Sequence, residues 1–506
     1  MSINSMIFLT AFLPVVFVLD RLCVRKTALK NILLLLASLV FYAWGDPVYI
    51  VLLLVSIAAN YGIGLLLGCQ RDESVAAKAV LAAGILVNLG ILGYYKYFDF
   101  FLRIVNRLTG SEHEMRNIPL PIGISFFTFG AISYLMDLYR GHYEAEKNPL
   151  NMALYLSFFP KISVGPIARY RDFAPQLTNR QETVEKTAEG IRRFAYGLGK
   201  KVLVANIVGA SVDKIYAQDI TNVTGVMVWC AAILYAIQIY YDFSGFTDMA
   251  IGLGKMFGFD ICENFNYPYL SGSIQEFWRR WHITLGAWFK AYIFYPVSVS
   301  GLVKKWNQYG RKHCGKHITR LVTSAIALFP VWVANGVWHG AQWNYIFYGM
   351  YYFVLIMLGI AVEPVRDCIL ETCHINPETR VWRTIQIAKT WVIIVVGELF
   401  FRANGLKAGW YMFCNMIKHF DAGQLTDGTL YTLGLERADY LAVIVGCLIV
   451  GIVGSMKEHG IHVQKKMGEL AVPVRWGLYY ALIIGILIFA AYGDGYQIQD
   501  LIYAGF

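Results

Sequence analysis

Apolar stretches close to the roughly 20 residues needed to cross about 30 Å of hydrocarbon recur along the chain. They cover about 3–19, 31–45, 48–68, 76–95, 223–241, 322–338, 343–362, 386–401, 439–455 and 475–492. Shorter or more polar stretches fall at about 119–138, 150–166, 194–210 and 281–300. This pattern predicts an all-α, polytopic membrane protein with roughly 10–12 transmembrane helices plus re-entrant segments. Half-spanning backbone at membrane depth must be buried in protein or line a wet cavity, so a site is expected in the broken middle third, about 119–300. The first stretch, Met1 to Leu19, lacks the charged start and small-residue cleavage site of a signal peptide and reads as a retained membrane helix. No solenoid repeat, low-complexity tract or linker interrupts the chain, which points to a single membrane domain over 1–506.

Composition supports the same class. Residues of the AVILMFWYC set make up 57% of the 506 positions and charged residues only 15%, against about 25% charged in an ordinary globular domain. So few charges cannot clothe a soluble body of that length. With a mean hydropathy of +0.48, disordered, collagen-like and coiled-coil chains are excluded. Lys+Arg 44 against Asp+Glu 34 gives a net charge of +10, and positive-inside bias accounts for it without nucleic acid. The nine cysteines are scattered, with Cys230 and Cys447 inside apolar runs and no CxxC pair. They are expected to be small buried hydrophobes outside any disulfide framework.

Short loops set the expected orientation. Arg21, Arg25, Lys26 and Lys30 against Asp20 put the first loop in the cytoplasm and Met1 outside, and the loop around Arg71 and Lys78 falls on the same side. The basic segments Arg180 to Lys201 and Leu302 to Arg320 are expected there too. The second holds Lys304, Lys305, Arg311, Lys312, Lys316 and Arg320 with no acid.

Three groups of polar residues stand out against this apolar background. His339 lies in Asn335-Gly-Val-Trp-His-Gly-Ala-Gln-Trp-Asn344, between two strongly apolar spans. At membrane depth such a residue is hydrogen-bonded to a neighbouring carbonyl, paired or functional. His282 lies in Gln275-Glu-Phe-Trp-Arg-Arg-Trp-His-Ile-Thr-Leu285. On a helix, Trp278, Trp281, His282 and Leu285 would share one face, and an interfacial aromatic belt is the plainer reading. Asp242 and Asp248 are embedded in an apolar stretch, either functional or in a structural ion pair or cap. Other patterns are weak. Gly252, Gly254 and Gly258 miss the dinucleotide spacing, Gly197-Leu-Gly-Lys-Lys201 misses that of a phosphate loop, and no GxSxG or HExxH occurs. His313, Cys314 and His317 sit among cations without a carboxylate, which makes a metal site improbable there.

With both histidines in view, the sequence resembles the membrane-bound O-acyltransferase family, in its alginate O-acetyltransferase-like bacterial branch. The shared wording includes Tyr94-Tyr-Lys-Tyr-Phe98, Pro121-Ile-Gly-Ile-Ser-Phe-Phe-Thr-Phe129, Phe159-Pro-Lys-Ile-Ser-Val-Gly-Pro-Ile-Ala-Arg-Tyr170 and Tyr241-Asp-Phe-Ser-Gly-Phe-Thr-Asp-Met-Ala-Ile-Gly252. It continues through Phe277-Trp-Arg-Arg-Trp-His-Ile-Thr-Leu285, Val337-Trp-His-Gly340 and Phe400-Phe-Arg-Ala403, so it runs over about 90–403. Lys161 departs from relatives, which often carry Gln there. Beyond about 403 the similarity loosens, although Leu501 to Phe506 keeps the aromatic character of relatives' C-termini. The resemblance divides the domain into N-terminal helices (1–95), a catalytic core (96–403) and C-terminal helices (404–506).

The resemblance further implies a helical bundle with a central tunnel, in the bacterial cytoplasmic membrane. A cytoplasmic acyl thioester, usually acetyl-CoA, would meet an outer acceptor at the family histidine. That position carries over onto His339 and the second family position onto His282. Asp242, Asp248, Trp338, Trp281 and Asn335 are expected to line the substrate path, and Lys304, Lys305, Arg311 and Lys312 to hold CoA phosphates. No permanently bound cofactor or metal is expected. The partners are acetyl-CoA, membrane lipid and an extracytoplasmic polysaccharide or acyl-accepting protein.

Acyl transfer from a thioester to a hydroxyl needs a base near the acceptor proton in a water-poor setting, and a neutral imidazole with a pKa of about 6.5 suits the task. The function expected is therefore polysaccharide O-acetylation. The alternatives are D-alanyl transfer to teichoic acid from a carrier protein and, outside enzymology, a transporter. A transporter would commonly show paired half-chains, and neither histidine motif has a second copy.

Overall fold

A computed structural model describes residues 1–23, 26–70, 74–219, 223–433, 435–461 and 463–489. Arg25, Arg71, the last residues of the 475–492 stretch and Leu501 to Phe506 lie outside them. Among the described residues the regular structure is entirely helical, and eight helices are long and apolar enough to cross a membrane. The chain forms two compact units. One draws on Met1–Leu198 and Gly245–Glu263, the other on Gly199–Ser244 and residues from Asn264 onward. This grouping cuts across the sequential division at 95 and 403.

The first unit contains α1 (Leu13–Leu22), α2 (Thr27–Gly45), α3 (Ile50–Gly68), α4 (Val75–Leu92), α5 (Ile124–Tyr139) and α6 (Pro149–Ser157). Most of α7 (Val184–Lys200) and the last part of α8 (Gly225–Met256) also belong to it. Lipid tails are as apolar as leucine, so close backbone approach and buried polar pairs must supply what the hydrophobic effect cannot. Asn60 and Asn88, both buried, exchange amide hydrogen bonds of 3.1 and 2.7 Å between α3 and α4. A Cβ on Gly190 would lie 2.6 Å from the Gly252 carbonyl oxygen, and one on Gly197 2.5 Å from that of Gly245. Gly197 and Gly252, one from each glycine-rich stretch, are thus contact points of α7 and α8, whereas Gly254 packs on Ile261 and Gly258 on Glu182.

The second unit holds α9 (Ile274–Arg280), α10 (Ile283–Phe289), α11 (Gly301–His313), α12 (Gly315–His339), α13 (Trp343–Ala361), α14 (Arg380–Arg402), α15 (Leu406–Lys418) and α16 (Arg437–Glu458). The helices α12 and α13 form an antiparallel hairpin closed by His317 Nε2 on the Ala361 carbonyl at 3.2 Å and by an Arg320–Glu363 ion pair. Helix α14 runs antiparallel to α13. Asn344 donates to the Phe401 carbonyl at 3.2 Å, Tyr348 to Glu398 at 3.0 Å and Tyr351 to the Ile393 carbonyl at 2.8 Å. Extending that register puts the start of α14 level with Ala361, the end that carries the basic 302–320 segment. A core of Val228, Ala231, Val395, Leu399, Phe400 and Met412 ties α8, α14 and α15 together.

Two expectations are corrected. All nine cysteines are free, but none is buried, and Cys69, Cys262, Cys368 and Cys373 are exposed. The single helical face through Trp278 and Leu285 does not form. Helix α9 ends at Arg280, Trp281 is extended, and His282 is left-handed with φ 42° and ψ 54° before α10 begins. The break has a local cause. The Asn266 N–H bonds the Arg280 carbonyl at 3.0 Å and the Ile283 N–H bonds the Asn264 carbonyl at 2.9 Å, so an adjacent extended segment takes backbone groups a continuous helix would use.

Candidate functional site

His339 closes α12 and is 2% exposed. Its Nδ1 lies 2.7 Å from the Asn335 carbonyl one turn back. A carbonyl oxygen can only accept, so Nδ1 carries the proton and Nε2 the lone pair. Gly336 and Gly349 set the position of this turn. A Cβ on Gly349 would sit 2.4 Å from the Trp332 carbonyl oxygen, and one on Gly336 2.6 Å from that of Tyr345. Backbone therefore meets backbone where α12 delivers its last turn.

His282 is held by the break itself. Its Nδ1 is 3.1 Å from Asn264 Oδ1, which also accepts from the Thr284 N–H at 3.1 Å and the Thr284 hydroxyl at 2.8 Å. The Thr284 N–H can only donate, which identifies the amide atom as oxygen and puts the His282 proton on Nδ1 as well. A positive φ on a non-glycine residue is costly and persists where surroundings over-determine it. Here the Asn264 side chain and two backbone bonds do so. The Trp338 ring bridges the two imidazoles, 5.5 Å from His282 and 4.8 Å from His339. Phe243 packs on His282 at 4.8 Å and Phe401 on His339 at 5.1 Å, which gives the water-poor walls that acyl transfer requires.

The other expected site residues fall as follows. Asn335 is buried beside His339, and its side-chain Oδ1 has no hydrogen-bond partner among the described residues. Trp281 stacks on Phe277 at 5.4 Å and meets Phe265 at 5.1 Å, in an aromatic cluster behind His282. Asp242 is paired with Lys201 at 2.5 Å in the second unit. Asp248 is paired with Arg193 at 2.5 Å in the first. Neither is a free carboxylate. Lys304, Lys305, Arg311 and Lys312 are exposed along α11. His313 and His317 each bond a backbone carbonyl, of Tyr309 and Ala361. Lys161 is buried in the first unit over the rings of Tyr155 at 4.0 Å and Phe173 at 5.2 Å.

Sequence reasoning missed Asn264, Tyr348 and Glu398. Glu398 is buried in α14 and accepts from the Tyr348 hydroxyl, whose ring lies 5.6 Å from that of His339. The rule that singled out Asp242 applies equally to an acid in the apolar 386–401 stretch. Asn264 had no comparable signal, because its role depends on the tertiary break at His282.

A profile described as the membrane-bound O-acyltransferase family matches residues 144–375. A probable alginate O-acetylase of Pseudomonas aeruginosa is 36% identical over 454 residues, 89% of this chain and 80% of the relative. The chain belongs to the membrane-bound O-acyltransferase family. A peptidoglycan O-acetyltransferase of Helicobacter pylori is 31% identical over 445 residues, 82% of this chain and 79% of its own. A teichoic acid D-alanyltransferase of Bacillus subtilis is 31% identical over 254 residues, 48% of this chain and 60% of its own. The chain is accordingly an O-acyltransferase and a multi-pass membrane protein, which sets the transporter alternative aside. Both histidines and Asn264 lie inside the matched segment, whereas Glu398 lies outside it.

Proposed function

We propose that this O-acyltransferase moves an acetyl group from cytoplasmic acetyl-CoA to a hydroxyl of an extracytoplasmic polysaccharide, directly or through an acyl-accepting partner protein. The observation that supports the reading is the His339 Nδ1–H···O=C Asn335 bond, which leaves Nε2 the lone pair that a base needs. Nε2 takes the acceptor hydroxyl's proton as its oxygen attacks the thioester carbonyl. The C–S bond then breaks, and the imidazolium returns the proton to the leaving thiolate, so the ring ends neutral. His282 binds the second substrate beside it, and the Asn335 side chain accepts from an acceptor hydroxyl. Trp338 and Trp281 shape the path, and the Lys201–Asp242 pair in the same unit braces the segment after α7 against α8. The acetylating relatives match over most of the chain, whereas the D-alanyl relative matches about half, which favours acetyl transfer.

The test is acyl transfer and thioester hydrolysis by the purified protein, with acetyl-CoA and other acyl donors compared. Replacing His339 by Ala or Gln should lower turnover per folded molecule by about 100- to 10,000-fold. A well-folded His339→Ala protein with near wild-type transfer overturns the assignment.

A further inference from the structure

Glu398 is an ionisable residue that the transfer described above leaves without a task. It lies within α14, a helix long and apolar enough to cross a membrane, and is 1% exposed. Among the described residues its hydrogen bond is the 3.0 Å contact from the Tyr348 hydroxyl, its Oε2 has no partner, and no cation lies within 4.0 Å of the carboxyl. An acid so placed is expensive, and stability alone would not retain it. Nor is an acid needed to join α13 to α14. One turn after Tyr348, the Tyr351 hydroxyl donates to the Ile393 carbonyl at 2.8 Å, and one turn before it Asn344 donates to the Phe401 carbonyl. Backbone acceptors serve on either side, and only the middle contact uses a side chain.

The contacts of Tyr348 give the acid a reason. Its ring meets the His339 imidazole at 5.6 Å, nearly edge-on at 77°, and the Phe401 ring at 4.8 Å. Phe401 follows Glu398 by three residues, so the two are neighbours on one side of α14, and it packs on His339 at 5.1 Å. The Nδ1 bond to Asn335 fixes one corner of the imidazole. The direction of Nε2 is then set by the rings around it. A phenol anchored at its hydroxyl holds its ring at a fixed tilt, whereas an unanchored one rocks and lets the imidazole rock with it.

We propose that Glu398 is a positioning residue for acyl transfer: its carboxyl oxygen anchors the Tyr348 hydroxyl, and the anchored ring keeps the His339 imidazole aimed at the acceptor. This rests on His339 being the base. Glu398 acts through Tyr348, and the burial of its carboxyl is a cost in stability that serves activity.

The experiment measures kcat per folded molecule, KM for acetyl-CoA and melting temperature for Glu398→Met, Glu398→Gln, Tyr348→Phe and the Glu398→Met/Tyr348→Phe double variant. Glu398→Met removes the acceptor at similar volume and should lower kcat by about 10- to 100-fold with KM level. Tyr348→Phe should lose as much. Both single variants should also melt lower, because each leaves a buried polar group without its partner. Glu398→Gln keeps an acceptor oxygen and should stay within about 3-fold of wild-type kcat. The double variant removes both polar groups, so its melting temperature should return to the wild-type value or above, while kcat stays as low as in either single variant. A double variant that recovers kcat together with melting temperature overturns the proposal, because the pair is then structural only. Wild-type kcat in Glu398→Met overturns it as well. His339→Gln in the same assay keeps the two readings apart. If it is inactive while Glu398→Met is wild type, the positioning role alone fails; if it transfers at the wild-type rate, the base assignment fails and the proposal with it.

Discussion

Replacing Gly349 by Ala tests whether the backbone contact between α12 and α13 places His339. The added Cβ would lie 2.4 Å from the Trp332 carbonyl oxygen and 3.1 Å from Gly336 Cα, where ordinary contact begins at 3.4 Å. Both near atoms are backbone and cannot rotate away, so the helices must separate by about 1 Å. Overpacking of this kind costs about 1–3 kcal/mol, and a displacement near 1 Å at a reacting group costs roughly 100-fold in rate. The expected result is a lower melting temperature together with a kcat for acetyl transfer reduced by one to two orders of magnitude per folded molecule. KM for acetyl-CoA should stay level, since the change displaces the reacting imidazole rather than a group expected to hold the donor. Gly451→Ala in α16 is the matched control, because nothing lies within 4 Å of its added Cβ. It should be neutral in rate and stabilise the helix by up to about 1 kcal/mol. A Gly349→Ala protein with wild-type kcat and melting temperature would refute the claim that this crossing positions the histidine.

Two further outcomes are expected. Asn264→Ala removes the acceptor for three donors, each costing about 1–3 kcal/mol if left unsatisfied; kcat should fall at least 10-fold, and Asn264→Asp, which keeps an acceptor, should retain more activity in a pH-rate comparison. A cysteine placed at Lys312, in a background without other reactive thiols, should resist an impermeant label applied outside intact cells, and efficient labelling would reverse the topology and the donor's proposed route of entry.

Much of this protein was decided by its linear pattern. Long apolar stretches with few charges admit little besides membrane helices, since every backbone group in hydrocarbon must be satisfied within its own segment. The two histidines were legible for a related reason: at that depth a titratable side chain is expensive and has few reasons to be there. Other features depended on partners far apart in the chain. Helical periodicity put Trp278, Trp281, His282 and Leu285 on one face, yet Asn264 and Asn266 capture the Ile283 N–H and the Arg280 carbonyl on either side of the break and turn the histidine through a left-handed conformation. Asp242 and Asp248 looked alike from their surroundings, and only the fold supplied Lys201 to one and Arg193 to the other. The clustered cations of α11 were conspicuous because they are neighbours in sequence. Arg280, Arg383 and Glu458 come from three separate helices, so their ion pairs exist only once α9, α14 and α16 have met: local sequence specifies what each segment can bury, and tertiary contact decides which charges find each other.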